Sequence, residues 1–288
     1  MSSCPVSELL RSAKACGIDA LDAHLLLAFC AHCSRTWLIA HDDATLPSDQ
    51  QAHYLMLLAR RAAGEPLAYL LGTKEFHGLS LEVNAQVLVP RPDTEVLVAW
   101  ALDVLRTDLA AHAAPRVVDL GCGSGAIALA VKQACPRAQV TALDASPQAL
   151  SVARRNAAAL NLEVRFVSSH WWQALGTERF DLALSNPPYI AEDDPHLAAL
   201  RHEPILALTS GPHGLDALRN IVEGANAHLH ANSWLLLEHG HNQSAAVHAL
   251  LQHSSLQAVQ SRPDLNGHLR CSGGRTASVG PSGVIPAA

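Results

Sequence analysis

Hydrophobic positions along the chain change their spacing twice, and these changes divide it into three regions. Residues 5–71 carry apolar side chains at helical spacing, broken by the segments CGID, DDATLPSDQ and AAGEP, which predicts a small bundle of helices. Residues 73–90 alternate apolar and polar positions in short pieces, with turn signals at HG and NA. This pattern predicts a β-hairpin between two domains.

After Pro92, short apolar segments alternate with helical ones. The segments with strand character are RVVDL, AQVTALD, VRFVS, FDLALS and SWLLLEH, and helical patterns follow the first, the second and the last of them. Such alternation predicts an α/β fold with a doubly wound, mostly parallel sheet and helices on both faces. The predicted domains are a helical one over 1–72, a hairpin linker over 73–92 and an α/β domain over 93–276, followed by a disordered tail over 277–288.

Composition and charge narrow the class of protein. Hydrophobic residues make up 49% of the 288 residues and charged residues 16%, which is typical of a globular chain. The net charge is −6 and no block of lysines or arginines stands out, which argues against direct contact with nucleic acid. The longest apolar stretch, LLLAFCA, is too short to span a bilayer, and no signal peptide is evident. We therefore expect a cytoplasmic protein without a membrane partner, and nothing in the sequence requires more than a monomer.

Cysteines and histidines suggest metal or redox sites that the rest of the sequence does not support. The seven cysteines are scattered, which favours reduced thiols. Cys30 and Cys33 flank His32, but no second ligand pair follows, and buried helical thiols are the better interpretation. His239 and His241 also lack converging ligands, so surface or loop positions explain them better than a metal or haem site. No metal site is predicted.

Two strand ends indicate a nucleoside-type cofactor. In open α/β sheets, ligands bind at the carboxyl ends of the strands. The first strand ends in a turn with Gly121, Gly123 and Gly125, and glycines allow the backbone to approach a ligand closely. Asp144 ends the next strand, where it could accept hydrogen bonds from ribose hydroxyls. NAD and S-adenosylmethionine both remain possible at this point, with Asp119 favouring the latter.

A third strand end indicates the substrate. Asn186 follows FDLALS, and two prolines, which lack N–H donors, fix the backbone directly after it. The Asn186 amide oxygen and the Pro187 carbonyl could accept both hydrogens of a planar –NH₂ group, while Tyr189 packs against its flat face. The pocket suits a side-chain amide or the exocyclic amine of adenine.

The combination of DLGCGSG at 119–125 and NPPY at 186–189 resembles the Asn-Pro-Pro-Tyr class of S-adenosylmethionine-dependent amino-group methyltransferases. Within that class, the helical N-terminal region, the hairpin and PRPDTE at 90–95 resemble the peptide chain release factor glutamine methyltransferases. The resemblance implies a Rossmann-like methyltransferase domain. Glutamine methyltransferases that act on a ribosomal protein differ in the segment 91–95 and remain the alternative.

The resemblance also implies roles for individual residues. The implied cofactor contacts are Gly121, Cys122, Gly123, Ser124, Gly125, Asp144, Asn186 and Trp171, the last lining the adenine pocket. The implied catalytic residues are Asn186, Pro187 and Tyr189, and Pro188 joins them in holding the substrate. Relatives carry an acidic residue just before the tryptophan, where this chain has His170, so cofactor affinity could differ.

The reaction that the resemblance implies is methylation of the amide nitrogen of the glutamine in the Gly-Gly-Gln motif of class-1 peptide chain release factors. S-adenosylhomocysteine would be the second product. The N-terminal helices would grip the release factor, or, alternatively, only stabilise the catalytic domain. Two other functions are weighed: methylation of adenine in DNA or RNA, whose flipped base would fit the same pocket, and a non-enzymatic haem or metal protein.

Overall fold

The computed structural model describes residues 4–278, which divide into two compact units. As far as they are described, one unit is Met1–Lys74 with Val83–Ala85, and the other is Glu75–Glu82 with Gln86–Ala288. The boundary thus falls within the first hairpin strand. The predicted disordered tail lies, from Val279 onward, outside the described residues.

The first unit consists of short helices around a small apolar core. Asp19 caps the second helix by accepting a hydrogen bond from the Leu21 N–H at 2.8 Å, and Ser34 caps the third by accepting from the Trp37 N–H at 3.1 Å. Cys30 is buried in a helix as predicted, whereas Cys33 lies just after it and is half-buried. The helices of this unit are α1 (Val6–Ala15), α2 (Ala20–Ala31), α3 (Arg35–Ala40), α4 (Ser48–Ala62) and α5 (Leu67–Leu71). Their buried side chains include Leu26, Leu27, Leu38, Tyr54 and Leu57.

A β-hairpin follows, formed by β1 (Thr73–Phe76) and β2 (Leu79–Glu82). Its turn is HG, as the sequence predicts, and both His77 and Gly78 have positive φ angles, of 49° and 78°. No further strand forms before Pro92–Thr94, which is a short 3₁₀ helix, so the strand character ends earlier than the predicted linker.

The second unit contains a seven-stranded sheet with the order β5-β4-β3-β6-β7-β9-β8 in its described residues. Its strands are β3 (Arg116–Leu120), β4 (Gln139–Asp144), β5 (Arg165–Ser168), β6 (Phe180–Ser185), β7 (Leu229–Glu238), β8 (Gln257–Pro263) and β9 (Leu269–Arg275). Its helices are α6 (Glu95–Arg106), α7 (Ala126–Ala134), α8 (Pro147–Ala159), α9 (Asp216–His228) and α10 (Ser244–His253). All pairings are parallel except those of β9 with β7 and β8. The predicted mostly parallel, doubly wound sheet is confirmed.

Apolar side chains cover both faces of this sheet. Successive residues of β6 point to opposite faces, so Leu182 and Leu184 pack with α6 and α7 while Ala183 packs with α9 and α10. The chain leaves β3 toward β4 and β5 and then returns to the other side of β3 with β6. The strand order reverses there, and the turns after β3 and β6 lie at the same edge of the sheet.

Candidate active site

The turn after β3 is shaped by glycines with different surroundings. Gly121, Gly123 and Gly125 all have positive φ angles, of 77°, 54° and 84°. A Cβ on Gly125 would lie 3.1 Å from Leu129 Cδ1 and 3.3 Å from Ala153 Cβ, whereas a Cβ on Gly123 would meet no atom within 4 Å. Gly125 is thus required for packing, while Gly123 borders open space in which a ligand can approach the backbone.

Asp144, at the end of β4, holds the glycine turn in place. Its Oδ2 accepts a hydrogen bond from the Gly123 N–H at 2.8 Å, and its Oδ1 accepts from the Ser146 N–H at 2.8 Å. Burial raises the pKa of this carboxyl above its usual value. Each carboxylate oxygen keeps a further lone pair, so the predicted role toward a ribose is compatible with this structural one.

Asp119 is fully buried at the end of β3. Its Oδ2 accepts from the Ala128 N–H at 3.1 Å, while its Oδ1 has no hydrogen-bond partner among residues 4–278. Burial raises its pKa to about 7, and the nearby charge of Asp144 adds to the effect. A buried acceptor without a partner favours a cationic or hydrogen-bond-donating ligand nearby.

Trp171 flanks the glycine turn. A Cβ on Gly121 would lie 3.3 Å from Cζ3 of its ring. Its neighbour His170 is exposed and meets the indole edge to face, with ring centroids 5.5 Å apart. The side chains of Cys122 and Ser124 are buried, so these two predicted contacts would be made by backbone atoms.

Asn186 stands directly after β6, beside the strand that leads to the glycine turn. Its Nδ2 donates a hydrogen bond to Thr94 Oγ1 at 3.1 Å. Within the described chain, no hydrogen bond is donated to Asn186 Oδ1 or to the Pro187 carbonyl. The two acceptors predicted for an –NH₂ group therefore both retain their lone pairs.

Tyr189 is anchored through its side chain and its backbone. Its hydroxyl donates to Glu238 Oε1 at 3.3 Å, and its carbonyl accepts from Gln243 Nε2 at 3.0 Å. Gln243 Oε1 in turn accepts from the Gly240 N–H at 2.8 Å. Burial and the Glu238 carboxyl raise the pKa of Tyr189, so it remains a hydroxyl donor. Pro188 is half-buried between these anchored residues.

Two residues that bond to Asn186 or Tyr189 were not predicted from the sequence. Glu238 ends β7 and is 1% exposed, and burial raises its pKa to about 7. Thr94 lies in the 3₁₀ turn before α6 and is 4% exposed. The signal for Glu238 was an acidic residue directly after the apolar run WLLL, the same kind of signal that identified Asp119.

The PRPDTE segment, which carries Thr94, is fixed by ion pairs. Arg91 pairs with the buried Glu203, whose Oε2 also accepts from the Val89 N–H at 3.1 Å. Asp93 pairs with Arg270 at 3.4 Å. Loss of Arg91 would leave the buried Glu203 carboxylate without its cation, which is costly, so the first of these pairs ties the segment to the rest of the unit.

His239 lies in the loop directly after β7, in keeping with the predicted surface or loop position, but it is fully buried there, whereas His241 is exposed. The Nε2 atom of His239 is hydrogen-bonded to Ser272 Oγ at 2.7 Å. This contact with the neighbouring strand β9 was not revealed by the sequence pattern. Within residues 4–278, no three His, Cys, Asp or Glu side chains are grouped so that they could hold a metal ion.

The chain matches two family models. Residues 6–72 match the PrmC N-terminal domain, and residues 99–205 match the methyltransferase small domain. None of the helices in the described part of the chain is both long and apolar enough to cross a membrane.

Similar sequences cover nearly the whole chain. A release factor glutamine methyltransferase from Burkholderia pseudomallei is 48% identical over 95% of this chain and 97% of its own. The protein of that name from Bordetella pertussis is 48% identical over 90% and 95%, and the one from Salmonella typhimurium 41% over 88% and 91%.

Solved structures share the fold at low identity. The Thermus thermophilus 16S rRNA N2 G1207 methyltransferase, in complex with AdoMet and guanosine, is 18% identical with a TM-score of 0.53, over 71% of this chain and 49% of that one. A methyltransferase from Pyrococcus furiosus is 19% identical with a TM-score of 0.51, over 80% and 100%. These similarities support the methyltransferase fold alone.

Proposed function

This chain belongs to the family of release factor glutamine methyltransferases, and from this premise we propose that it methylates the side-chain amide nitrogen of a glutamine in class-1 peptide chain release factors. The methyl donor is S-adenosylmethionine, and the products are N(5)-methylglutamine and S-adenosylhomocysteine. The observation that carries the proposal is a pair of acceptors that receive no hydrogen bond within residues 4–278, Asn186 Oδ1 and the Pro187 carbonyl, one strand away from the glycine turn.

The residues at the glycine turn fit S-adenosylmethionine. Gly123 borders open space, the Asp144 carboxylate suits ribose hydroxyls, and Trp171 offers an aromatic face. The buried Asp119 oxygen without a partner suits a ligand that carries positive charge. Bound there, S-adenosylmethionine supplies an electrophilic methyl group. No metal ion is part of the proposal.

Asn186 and Pro187 would orient the substrate amide and stabilise the charge that forms on it. An amide nitrogen is a poor nucleophile because its lone pair is delocalised into the carbonyl. Two acceptors that hold both N–H groups orient this nitrogen and stabilise the positive charge that develops on it as the new bond forms. Tyr189 would pack against the flat face of the amide. No general base is assigned, because the acceptors act without removing a proton before the attack. Once the carbon–sulfur bond has broken and the carbon–nitrogen bond has formed, the methylated nitrogen releases one proton to water.

The glutamine would belong to the Gly-Gly-Gln motif of the release factor, as the resemblance implies. Two glycines before it leave room for the chain to enter a pocket bounded by Pro188 and Tyr189. The N-terminal unit would bind another part of the factor. The proposal includes a cytoplasmic location and a monomer, since release factors act on ribosomes and one chain supplies every residue of the pocket.

Incubation with isotopically labelled S-adenosylmethionine tests this function. Purified release factor, ribosomal protein and DNA are supplied separately, and the products are analysed by mass spectrometry. One methyl group is expected on the Gly-Gly-Gln glutamine, and none on a factor in which glutamate replaces it. Label on the ribosomal protein alone would favour the related family, and label only in nucleic acid would overturn the proposal.

A further inference from the structure

The Asn186 amide has two orientations of nearly equal shape but opposite chemistry. In one, the acceptor Oδ1 points to the substrate. In the other, rotated by 180°, the donor Nδ2 takes its place. Only the first orientation can accept a hydrogen bond from a substrate –NH₂ group. The site therefore needs neighbouring groups that select this orientation.

Thr94 is the first of these neighbouring groups. Asn186 Nδ2 donates to Thr94 Oγ1 at 3.1 Å. A threonine hydroxyl carries a single hydrogen, so whichever group receives that hydrogen decides what Thr94 offers to Asn186. If the hydrogen goes elsewhere, Thr94 can only accept from Asn186.

The Glu238 carboxyl is the acceptor beside this hydroxyl, and its Oε2 is buried without a hydrogen-bond partner among residues 4–278. The Thr94 hydroxyl lies close enough to the Glu238 carboxyl to lower its pKa by hydrogen bonding. Glu238 Oε1 also accepts from the Tyr189 hydroxyl at 3.3 Å. An ionised carboxylate has no hydrogen to give, so toward the Thr94 hydroxyl it can act only as an acceptor, for which its Oε2 is free. The donor direction then runs from Asn186 to Thr94 and from Thr94 to Glu238.

We propose that Thr94 and Glu238 are positioning residues that lock the Asn186 amide with its Oδ1 toward the substrate –NH₂ group. Neither residue needs to touch the substrate. The proposal rests on the proposed function, since the orientation matters only for a substrate that donates hydrogens. It also gives PRPDTE a part in the reaction, because this segment carries Thr94.

The lock depends on the charge of Glu238. The groups around this carboxyl are Tyr189 after β6, Asp93 in the 3₁₀ turn, and Arg270 and Cys271 on β9. Arg270 stabilises the carboxylate and Asp93 opposes it, while burial raises the pKa to about 7. Below that pH the protonated carboxyl can give its hydrogen to Thr94. The Thr94 hydrogen is then free to turn toward Asn186, and both amide orientations become possible.

A matched pair of substitutions separates the lock from the packing of Thr94. Thr94→Val keeps the shape but removes the hydroxyl, whereas Thr94→Ser keeps the hydroxyl. Both leave the Tyr189 bond to Glu238 intact. Affinity for S-adenosylmethionine, measured by calorimetry, together with the thermal midpoint reports whether each variant is folded. Turnover and KM are measured with a peptide that carries Gly-Gly-Gln.

The decisive measurement is the preference between a Gly-Gly-Gln peptide and a Gly-Gly-Glu peptide in equilibrium binding. A flipped Asn186 presents N–H groups, which suit a carboxylate. Thr94→Val should lower kcat about tenfold and shift the preference toward the glutamate peptide by a similar factor, the size of one hydrogen bond. Thr94→Ser should resemble the wild type, and affinity for S-adenosylmethionine should not change.

Glu238→Gln supplies the independent test. In the wild type the preference for the glutamine peptide should fall as the pH drops below about 7, where the Glu238 carboxyl beside Thr94 becomes protonated, and this pH dependence should be absent in the variant. The pH profile of kcat does not separate the two carboxyls, because the pKa of Asp119 at the glycine turn is also about 7. An unchanged pH dependence of the peptide preference in Glu238→Gln, or wild-type turnover and peptide preference in Thr94→Val, would overturn the lock. A wild type that methylates no glutamine would instead refute the proposed function, and the lock with it.

Discussion

At the scale of single residues, a substitution of Asn186 is the most direct test of the proposed chemistry. Asn186→Ala removes one of the two acceptors and leaves the glycine turn and Asp144 untouched. We expect kcat to fall on the order of 10² to 10³, as when other electrostatic stabilisers of a transition state are lost, while S-adenosylmethionine still binds. Steady-state kinetics and calorimetry measure the two effects. Near-normal kcat would contradict the role given to this residue.

Two glycines of the turn allow cofactor binding and stability to be separated. Gly123→Ala points a methyl group into open space, so its cost to stability is the backbone strain of a positive φ angle alone, about 1–2 kcal/mol, while it should weaken S-adenosylmethionine binding more strongly than that. Gly125→Ala brings a methyl group within 3.1 Å of Leu129 Cδ1, so it should destabilise the fold, by about 1–3 kcal/mol. Calorimetry and urea unfolding of both variants check this contrast. If the two variants lost the same affinity for S-adenosylmethionine and the same free energy of unfolding, Gly123 would not face the ligand.

At the scale of secondary-structure elements, two adjacent residues of α8 contact Glu82 at the end of the hairpin, and we expect them to contribute differently to stability. Asn156 is buried and bonds to the Glu82 N–H at 2.7 Å, the Glu82 carbonyl at 3.0 Å and the Ser124 carbonyl at 2.9 Å. Arg155 forms an exposed ion pair with the Glu82 carboxylate at 2.7 Å. The first set satisfies backbone groups away from water, and the second is screened by it.

Asn156→Ala should therefore lower the free energy of unfolding by about 1–3 kcal/mol, because it leaves buried backbone groups without partners. It should also weaken cofactor binding, since Ser124 belongs to the glycine turn. Arg155→Ala should change neither quantity measurably. Urea unfolding and calorimetry of the two variants make the comparison, and an equal effect of both would contradict this account.

The elements around the cofactor were predictable because they follow simple rules. β3, β4 and β6 are apolar runs of five or six residues that end in glycine, aspartate or proline signals. β9 was not predicted, because it contains Gly273 and Gly274, which are poor strand formers. Its packing requires them: a Cβ on Gly273 would lie 2.6 Å from Leu236 Cδ2.

The site was predictable only where its residues follow strands in obvious motifs. The turn residues and NPPY were found in this way. Thr94 was missed because its partner Asn186 lies 92 positions further along the chain, and no local pattern reports such a contact. The burial of His239 was missed for the same reason, since its partner Ser272 is 33 positions away.

At the scale of the whole molecule, the N-terminal unit is proposed to bind the release factor away from its glutamine. It carries large apolar side chains in water, among them Ile39, 65% exposed, and Met56, 50% exposed. In the proposal, these side chains would be buried against the release factor when it binds.

Ile39→Ser and Met56→Ser test this role in the intact chain. Each should raise KM for the whole factor about 5- to 30-fold, the effect of 1–2 kcal/mol of lost apolar burial. Kinetics with a short Gly-Gly-Gln peptide serve as the control and should not change. If the two substrates respond alike, the unit does not grip the factor.

The strand order of the second unit has a consequence for how the chain folds. β9 comes last among the described elements, yet it lies inside the sheet, between β7 and β8. Until it pairs, β8 has no place in the sheet and β7 is an open edge with the sequence WLLLE, a template for pairing with other chains. A chain truncated before Leu269 should therefore self-associate. The same late strand brings Arg270 to the Glu238 carboxyl, so we expect protection against aggregation and completion of the proposed substrate site to occur in one folding event.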